Sequence, residues 1–238
     1  MTTSLQAAVA ALVPDLDVDE ERDVVRWTPS SGGRSETGLH DYAALYSVPG
    51  LYEAVYADRL QARSPELLAG LLADTLPQLP ALTVLDVGCG TGAVGSELRA
   101  VGAGRVVGVD LEPMVEVAVP RDRPGAYAEV RALDLLALTD GQRTWLEELA
   151  PDVVTCVAAV GFGHLPLGAF EVLTELLRPG GHLAVTVARD LQADPALRDY
   201  AALLGGPAYA QVGSRDGVHR ITVDGRALLV TALVLRRR

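Results

Sequence analysis

The sequence predicts an α/β protein with a doubly wound, mostly parallel sheet of seven strands, an antiparallel C-terminal hairpin and a helical N-terminal cap. Three observations predict this fold. After residue 80, short β-rich runs alternate with helical runs, which is typical of parallel strands joined by crossover helices. One β-rich run, VVTCVAAV at 153–160, is apolar throughout, as expected for a strand buried on both faces. The last two β-rich runs flank Asp224-Gly225, which predicts a hairpin with a type I′ turn.

The elements follow from the spacing of apolar residues. Runs rich in β-branched residues predict strands, and apolar residues three and four positions apart predict helices. The last of these helices ends before Arg178-Pro179-Gly180-Gly181, where proline and glycine stop a helix. The predicted strands are Leu82–Val87, Arg105–Val109, Tyr127–Leu133, Asp152–Val157, His182–Ala188, His219–Val223 and Ala227–Leu235, and the helices between them are Thr91–Val101, Pro113–Val119, Gly141–Leu149 and Leu167–Leu177.

The first 37 residues have the composition of an appendage. The stretch from Asp15 to Asp23 holds six acids and one arginine, and SSGGRSETG at 30–38 is typical of a linker. We therefore expect a flexible acidic leader over residues 1–37.

Residues 38–80 predict a helical cap followed by the first helix of the core. Tyrosines and leucines recur here at helical spacing, and Ser64-Pro65-Glu66 has the pattern of a helix start. The core is expected over residues 81–238, with a variable insertion around 190–218. The tyrosines of the cap are Tyr42, Tyr46, Tyr52 and Tyr56.

Composition excludes several classes of partner. The net charge is −11, so the surface repels a nucleic-acid backbone and an anionic membrane. Two cysteines, Cys89 and Cys156, do not make a disulfide scaffold. The N-terminus lacks a basic leader and no apolar stretch is long enough for a membrane span, so we expect a cytoplasmic protein.

The segment 83–95 carries the sharpest functional signal. It combines a strand, a glycine-rich turn and a helix start, the arrangement that binds ligands at the edge of a doubly wound sheet. Gly90-x-Gly92-x-x-Gly95 matches the dinucleotide fingerprint, but the match alone is weak. Asp86 would repel a pyrophosphate and attract a cation. S-adenosylmethionine (SAM), with a sulfonium and an ammonium group, suits that charge better.

Two further acids follow the next two predicted strands. Asp110 lies 18 residues after Gly92, where an acid can accept hydrogen bonds from both ribose hydroxyls. Asp134 can accept one from an adenine amino group, and Leu135 offers a backbone N–H. Either acid alone could equally be a helix cap or a solvated loop residue. Three acids at three successive strand ends favour a nucleoside site.

At this point the sequence resembles the class I SAM-dependent methyltransferases. The resemblance covers about residues 65–190 and rests on VLDVGCGTG (motif I), VVGVDLEPMVEVA, RALDLLAL and LLRPGGHLAVTV. It implies that SAM is the cofactor, that the acid and glycines of motif I bind its methionine end, and that the two later segments bind its adenosine. The residues so implied are Asp86, Gly88, Cys89, Gly90, Gly92, Asp110, Leu111, Met114, Asp134 and Leu135.

The catalytic residues are less clearly marked. The Asn/Asp-Pro-Pro-aromatic element of nucleobase and glutamine N-methyltransferases is absent after the fourth strand, where the chain has CVAAVGFGH at 156–164. His164 is then the candidate general base, and Tyr46 or Tyr56 is expected near the sulfonium or the acceptor. No spacing suggests a metal site. Weaker acceptor-site candidates are His40, Asp41, Tyr209 and His219.

We therefore predict methyl transfer from SAM to a small-molecule acceptor, at oxygen rather than nitrogen, in a role that suits secondary metabolism. The acceptor pocket is expected from the cap and the 190–218 insertion. A cyclase that uses SAM differently, a non-catalytic SAM-binding subunit and, weakest, a nicotinamide dehydrogenase stay as alternatives. The sequence leaves a homodimer open.

Overall fold

The computed structural model describes residues 13, 15–29, 31–160, 165–189 and 195–238. Its strands are β1 (Asp17–Asp19), β2 (Val24–Trp27), β3 (Ser35–Gly38), β4 (Thr83–Val87), β5 (Arg105–Asp110), β6 (Glu129–Ala132), β7 (Val153–Val160), β8 (His182–Ala188), β9 (Tyr209–Ile221) and β10 (Ala227–Arg237). Its α-helices are α1 (Tyr42–Ser47), α2 (Ser64–Thr75), α3 (Ala93–Ala100), α4 (Val115–Asp122), α5 (Asp140–Leu149), α6 (Leu167–Glu175) and α7 (Arg198–Leu204). A π-helix spans Glu53–Arg59, and 3₁₀ turns span Leu79–Ala81 and Pro195–Leu197.

The central sheet has seven strands in the order β6-β5-β4-β7-β8-β10-β9. Strands β4 to β8 pair in parallel, and β10 pairs antiparallel with both β8 and β9. The predicted fold class is confirmed. The chain leaves β4 towards β5 on one side and later returns to β7 on the other, so the sheet has a topological switch point at the carboxyl end of β4. Ligands of such sheets bind at that crevice.

The strands around the switch point are buried on both faces. Val84 and Leu85 of β4 and Val153 and Val154 of β7 are fully inaccessible to solvent. This burial explains their near-continuous apolar sequence, because both faces of a parallel sheet are covered by other parts of the protein. The edge of the sheet that carries the site is therefore built on a rigid base.

The predicted flexible leader needs a correction for its described part. Strands β1, β2 and β3 form a three-stranded antiparallel sheet. Val18, Val25 and Trp27 are buried in one cluster with Leu39 and Tyr46 of the cap. Charged residues alternate with these apolar residues, which is the pattern of a strand with one buried and one exposed face. The sequence analysis overlooked this pattern because the segment is so rich in charge. Residues 1–12 lie outside the described residues.

The C-terminal hairpin is longer than predicted. Strand β9 begins at Tyr209, so the last ten residues of the predicted 190–218 insertion pair with β10. The turn also differs from type I′, because Gly225 has a positive φ and Asp224 does not. Gly225 donates its N–H to the Thr222 carbonyl, as in a type I turn closed by a residue in left-handed conformation.

The cap is bonded to this hairpin. The Ile221 amide donates to the Leu60 carbonyl and the Arg63 amide donates to the His219 carbonyl, each at 2.7 Å. Glu20, beside β1, pairs with Arg220 of β9. The cap and the hairpin thus hold each other in place above the carboxyl edge of the sheet. In the ranges that the structure describes, no helix has the length and apolar character needed to cross a membrane.

Candidate active site

The glycine-rich turn joins β4 to α3 at the switch point. Gly88, Gly90 and Gly92 all have positive φ, a conformation that side chains with a Cβ avoid. Gly92 is the N-cap of α3, so the turn delivers the chain directly into the helix. The first N–H groups of a helix have no partner within the helix and can donate to a ligand or to a side chain. This is the geometry that motif I predicts.

Strand β5 fixes the shape of the turn. The amides of Gly88 and Cys89 both donate to the Val109 carbonyl, at 2.9 and 3.1 Å. The Gly90 amide donates to Asp110 Oδ2 at 2.8 Å, and the Glu112 amide donates to Asp110 Oδ1 at 3.0 Å. Asp110 therefore holds the turn and faces the cavity at once. Burial raises the pKa of its carboxyl.

Asp86 lies beneath the turn rather than in the cavity. It is fully buried and accepts hydrogen bonds from the Tyr127 hydroxyl at 2.6 Å and the Thr155 hydroxyl at 2.5 Å. Thr155 pairs with Asp86 across the sheet, which explains its position. Burial raises the pKa of Asp86 to about 7, and the two hydroxyl donors oppose that rise. Asp86 supports the turn, and it does not line the cavity as a direct methionine contact would require.

Gly95 completes this support by making room for Tyr127. A Cβ on Gly95 would lie 2.4 Å from the Tyr127 ring, and the Gly95 amide donates to the Tyr127 hydroxyl at 3.1 Å. The third glycine of the GxGxxG match thus allows close packing, one of the roles a dinucleotide-type turn gives it. Tyr127 and Thr155 were missed by the sequence analysis, because nothing local to either residue signals its contact with Asp86.

A cavity of about 940 Å³ opens over the turn. That volume is at the upper end of the usual range for ligand pockets. We call its lower side the floor, built from the turn and the ends of β4 to β7, and its upper side the roof, built from residues 40–66 and the adjacent part of β9. The floor contains the predicted residues Gly88, Cys89, Gly90, Asp110, Leu111, Asp134 and Leu135.

The adenosine side of the floor combines acids with exposed apolar side chains. Leu111 and Leu136 both line the cavity although they are 69% and 59% exposed. Asp134 accepts a hydrogen bond from the Leu136 amide at 2.9 Å, which leaves its other oxygen for a ligand. Exposed leucines beside a carboxylate suit a planar base with a polar edge.

Four tyrosines form the centre of the roof. The rings of Tyr42, Tyr46, Tyr52 and Tyr56 contact one another with centroid distances from 4.6 to 6.5 Å, and all four line the cavity. Burial raises the pKa of each hydroxyl. The Tyr56 hydroxyl donates to the Leu39 carbonyl at 2.9 Å. The Tyr46 hydroxyl lies 3.0 Å from the position that a Cβ on Gly90 would take, so the roof touches the turn there.

A buried ion pair, also missed by the sequence analysis, joins roof and floor. Glu53 of the π-helix pairs with Arg123, which follows α4, with Arg123 Nε 3.4 Å from Glu53 Oε1. Both side chains line the cavity, as does Thr91 of the turn. Glu53 was missed because its acid resembles a solvated helix residue, and only the fold brings Arg123 opposite it.

The acceptor side of the cavity is mostly apolar. Val157, Ala158 and Ala159 of β7 line it, and Ala158 has a positive φ of 58° where the pairing with β8 is irregular. The Ala158 amide donates to the Thr186 hydroxyl at 2.8 Å. His219 of β9 faces this cavity, with its Nδ1 2.8 Å from the Ser64 hydroxyl.

The remaining predicted residues lie elsewhere. Gly92 and Met114 do not line the cavity, and Met114 packs against the core beside α4. Tyr209 is buried near α6 and does not line the cavity, so it is not part of the site. His40 and Asp41 are in the roof. His164 lies outside the described residues.

The residues fit SAM. Three buried groups at the turn, the Glu53 carboxylate, the Thr91 hydroxyl and the Arg123 Nε, have no hydrogen-bond partner among the described residues, so polar groups of a ligand can take them. Carboxylates outnumber guanidinium groups by eight to three among the described residues that line the cavity, which suits a cationic ligand.

A family model described as a methyltransferase domain matches residues 56–215. The chain belongs to the SAM-dependent methyltransferases of class I. SAM is its cofactor, and the protein is an enzyme of this family.

The curated relatives are similar to this chain over only part of their length. Human methyltransferase-like protein 27 is 38% identical over 127 residues, 52% of this chain and 48% of that protein. Ribosomal protein L11 methyltransferase of Burkholderia mallei (strain NCTC 10229) is 29% identical over 194 residues, 76% of this chain and 59% of that one. The chain thus spans about half to three fifths of the length of these curated relatives.

Among solved structures, magnesium protoporphyrin IX methyltransferase from Synechocystis PCC 6803 with bound SAM matches with a TM-score of 0.51. It is 22% identical and covers 72% of this chain and 76% of its own. At that identity the likeness supports the shared fold.

Proposed function

We propose that this enzyme transfers the methyl group of SAM to an oxygen atom of a small-molecule acceptor. The observation that carries the proposal is the roof. The four tyrosines and the hairpin cover the turn, and the cavity between them holds about 940 Å³. A pocket of that size has room for SAM and a compact second molecule.

The charge of the cavity supports a small acceptor over a nucleic acid. The carboxylate excess around the opening opposes a phosphate backbone, whose binding depends on basic contacts. A folded protein acceptor would have to insert a side chain beneath the bonded cap and hairpin. The ribosomal protein methyltransferases among the relatives match only part of their length here, so their acceptor does not transfer directly.

The lining supports oxygen as the target atom. The end of β7 presents Val157, Ala158 and Ala159, with no side-chain carbonyl to accept from an amino group. The polar groups of the cavity include tyrosine hydroxyls and the His219–Ser64 pair. An acceptor hydroxyl can exchange hydrogen bonds with both kinds of group.

The chemistry asks little of the protein. SAM supplies an electrophilic methyl group, so the chain has to align the acceptor and exclude water. Tyr46 serves as a hydrogen-bond donor that orients the acceptor, because burial raises its pKa above the range where it would act as a base. Tyr56 already donates to the Leu39 carbonyl, so its oxygen can only accept a hydrogen bond from the acceptor. We assign proton removal to His164. Two further statements stay predictions: a role in secondary metabolism and a cytoplasmic location. Whether the protein forms a homodimer stays open.

The test is a product assay with defined acceptor classes. The protein is incubated with SAM and matched panels of phenols, carboxylic acids and amines, and products are read by mass spectrometry. We expect O-methyl products with one S-adenosylhomocysteine per methyl group. Methylated amines alone would contradict the choice of oxygen. Methylthioadenosine as the product, or SAM binding without turnover on any panel, would favour the cyclase and partner-subunit alternatives.

His164→Ala separates the proposed base from cofactor binding. We expect turnover to fall more than about tenfold while the dissociation constant of SAM changes little, because a general base contributes about 10² or more. His182→Ala, at the start of β8 and outside the lining of the cavity, is the matched control. Unchanged turnover in His164→Ala would remove it from the mechanism.

A further inference from the structure

Five buried side-chain polar atoms have no hydrogen-bond partner among the described residues, and four of them belong to three residues of one cavity. They are both carboxylate oxygens of Glu53, the hydroxyl of Thr91 and Nε of Arg123. All three residues line the cavity. Glu53 is only 7% exposed, and although it forms an ion pair with Arg123, its carboxylate oxygens have no hydrogen bond among the described residues. A buried polar group is costly to leave unpaired, and its clustering at a cavity points to a ligand.

The cluster lies beside the glycine-rich turn. Thr91 is part of that turn, and the Arg123 Cβ is 3.5 Å from the position that a Cβ on the next residue, Gly92, would take. Glu53 reaches the same point from the roof through its 3.4 Å contact with Arg123. Asp110, the last residue of β5, accepts from the Gly90 amide of the same turn, and Asp134 lies two residues after β6.

The chemistry of the three groups matches an α-amino acid. A zwitterion needs donors for its carboxylate, which the Arg123 guanidinium and the Thr91 hydroxyl provide, and an acceptor for its ammonium, which the Glu53 carboxylate provides. The methionine end of SAM has both charges. Asp86, the acid that the sequence suggested for this end, is already bonded to two hydroxyls beneath the turn.

We propose that Glu53, Arg123 and Thr91 bind the α-amino acid group of SAM, with Arg123 and Thr91 on its carboxylate and Glu53 on its ammonium. The proposal rests on the SAM-dependent function above and names the residues that recognise one end of the cofactor. It makes the roof part of the cofactor site, because Glu53 comes from the π-helix. Cofactor binding and closure of the cap are then coupled.

Two ligands separate this role from a structural one. S-adenosylhomocysteine has the amino acid group, and methylthioadenosine has the same adenosine without it. In calorimetry we expect Arg123→Gln and Glu53→Gln each to weaken S-adenosylhomocysteine binding by about tenfold to about a hundredfold, as for a lost charge-assisted hydrogen bond. Methylthioadenosine should bind each variant within about twofold of its affinity for wild type.

Decarboxylated SAM assigns the two charges within the site. It retains the amine and lacks the carboxylate, so its affinity should fall in Glu53→Gln and stay unchanged in Arg123→Gln. The double variant Glu53→Gln/Arg123→Gln leaves no buried unpaired charge and guards against misfolding of the single variants. Arg131→Gln is the matched control, because Arg131 pairs with Glu129 outside the cavity. It should bind all three ligands like wild type.

Each outcome bears on the proposal. Equal weakening of S-adenosylhomocysteine and methylthioadenosine would overturn it in favour of a structural role for the pair. Unchanged binding of both ligands in both variants would also overturn it. If wild type itself binds neither ligand, the SAM-dependent function fails together with the proposal, whereas binding by wild type with unaffected variants refutes this proposal alone.

Discussion

The floor and the roof of the cavity are built in opposite ways. The floor uses backbone geometry within short stretches of chain: a turn with three left-handed glycines, an acid at the end of β5 and another two residues after β6. The roof uses side chains from short elements that meet only in the folded protein, among them Tyr46, Glu53 and His219. A turn built within one short segment can be recognised from the sequence, whereas a cluster of side chains from distant segments cannot.

The largest predicted effect is a loss of stability from a substitution at the base of the roof. Trp27→Ala removes a buried side chain that packs with Leu39 and Tyr46, so the free energy of unfolding should fall by about 3–5 kcal/mol. Urea denaturation measures it. Arg22→Ala, on the exposed turn before β2, is the control and should change stability by less than about 0.5 kcal/mol. A negligible effect of Trp27→Ala would restore the flexible leader that composition suggested.

The corresponding destabilising substitution in the floor is Gly95→Ala. The new methyl group would meet the Tyr127 ring at 2.4 Å, which forces the tyrosine away from Asp86. We expect a loss of about 1–3 kcal/mol in the free energy of unfolding, the usual cost of overpacking. Gly141→Ala in α5, where a Cβ meets nothing within 4 Å, is the matched control and should be neutral or slightly stabilising. Equal effects at both glycines would mean that the Gly95–Tyr127 contact has no special cost.

Asp110→Ala tests the adenosine side of the floor. Loss of the carboxylate removes the acceptor for the ribose hydroxyls and the 2.8 Å bond to the Gly90 amide, so SAM should bind more than about tenfold more weakly with the fold intact. Asp134→Ala, whose carboxylate lies on an exposed turn, should weaken binding only a few-fold. Calorimetry reports both values. An unchanged dissociation constant for Asp110→Ala would refute the ribose assignment.

A prediction of pH dependence concerns the buried acid beneath the turn. Burial raises the pKa of Asp86 to about 7, so the folded protein holds a proton that the unfolded chain releases near pH 4. Between these values the folded state binds more protons, and this group makes stability fall as pH rises. Relative to wild type, Asp86→Asn should gain stability steadily from about pH 4 to about pH 7. A difference in stability between Asp86→Asn and wild type that stays constant across that range would contradict the raised pKa of Asp86.

The difference between local and long-range contacts also explains which features of the structure could be predicted from the sequence. The seven-stranded sheet was predicted because hydrophobic periodicity is local. Seven of the ten residues predicted to bind the cofactor line the cavity, and their role stays a prediction. The order of the small sheet and the support of Asp86 by Tyr127 and Thr155 were not predicted. Each depends on pairing between residues 41 or more apart or on strands hidden in acidic sequence. The role of His164 still depends on the proposal above.

The most direct test of the account is calorimetric titration of the wild-type protein with SAM and, separately, with S-adenosylhomocysteine. A cavity whose floor holds adenosine and whose roof closes over the amino acid end predicts one site per chain and micromolar binding of both ligands. No heat with either ligand, under conditions where the protein is folded, would contradict it.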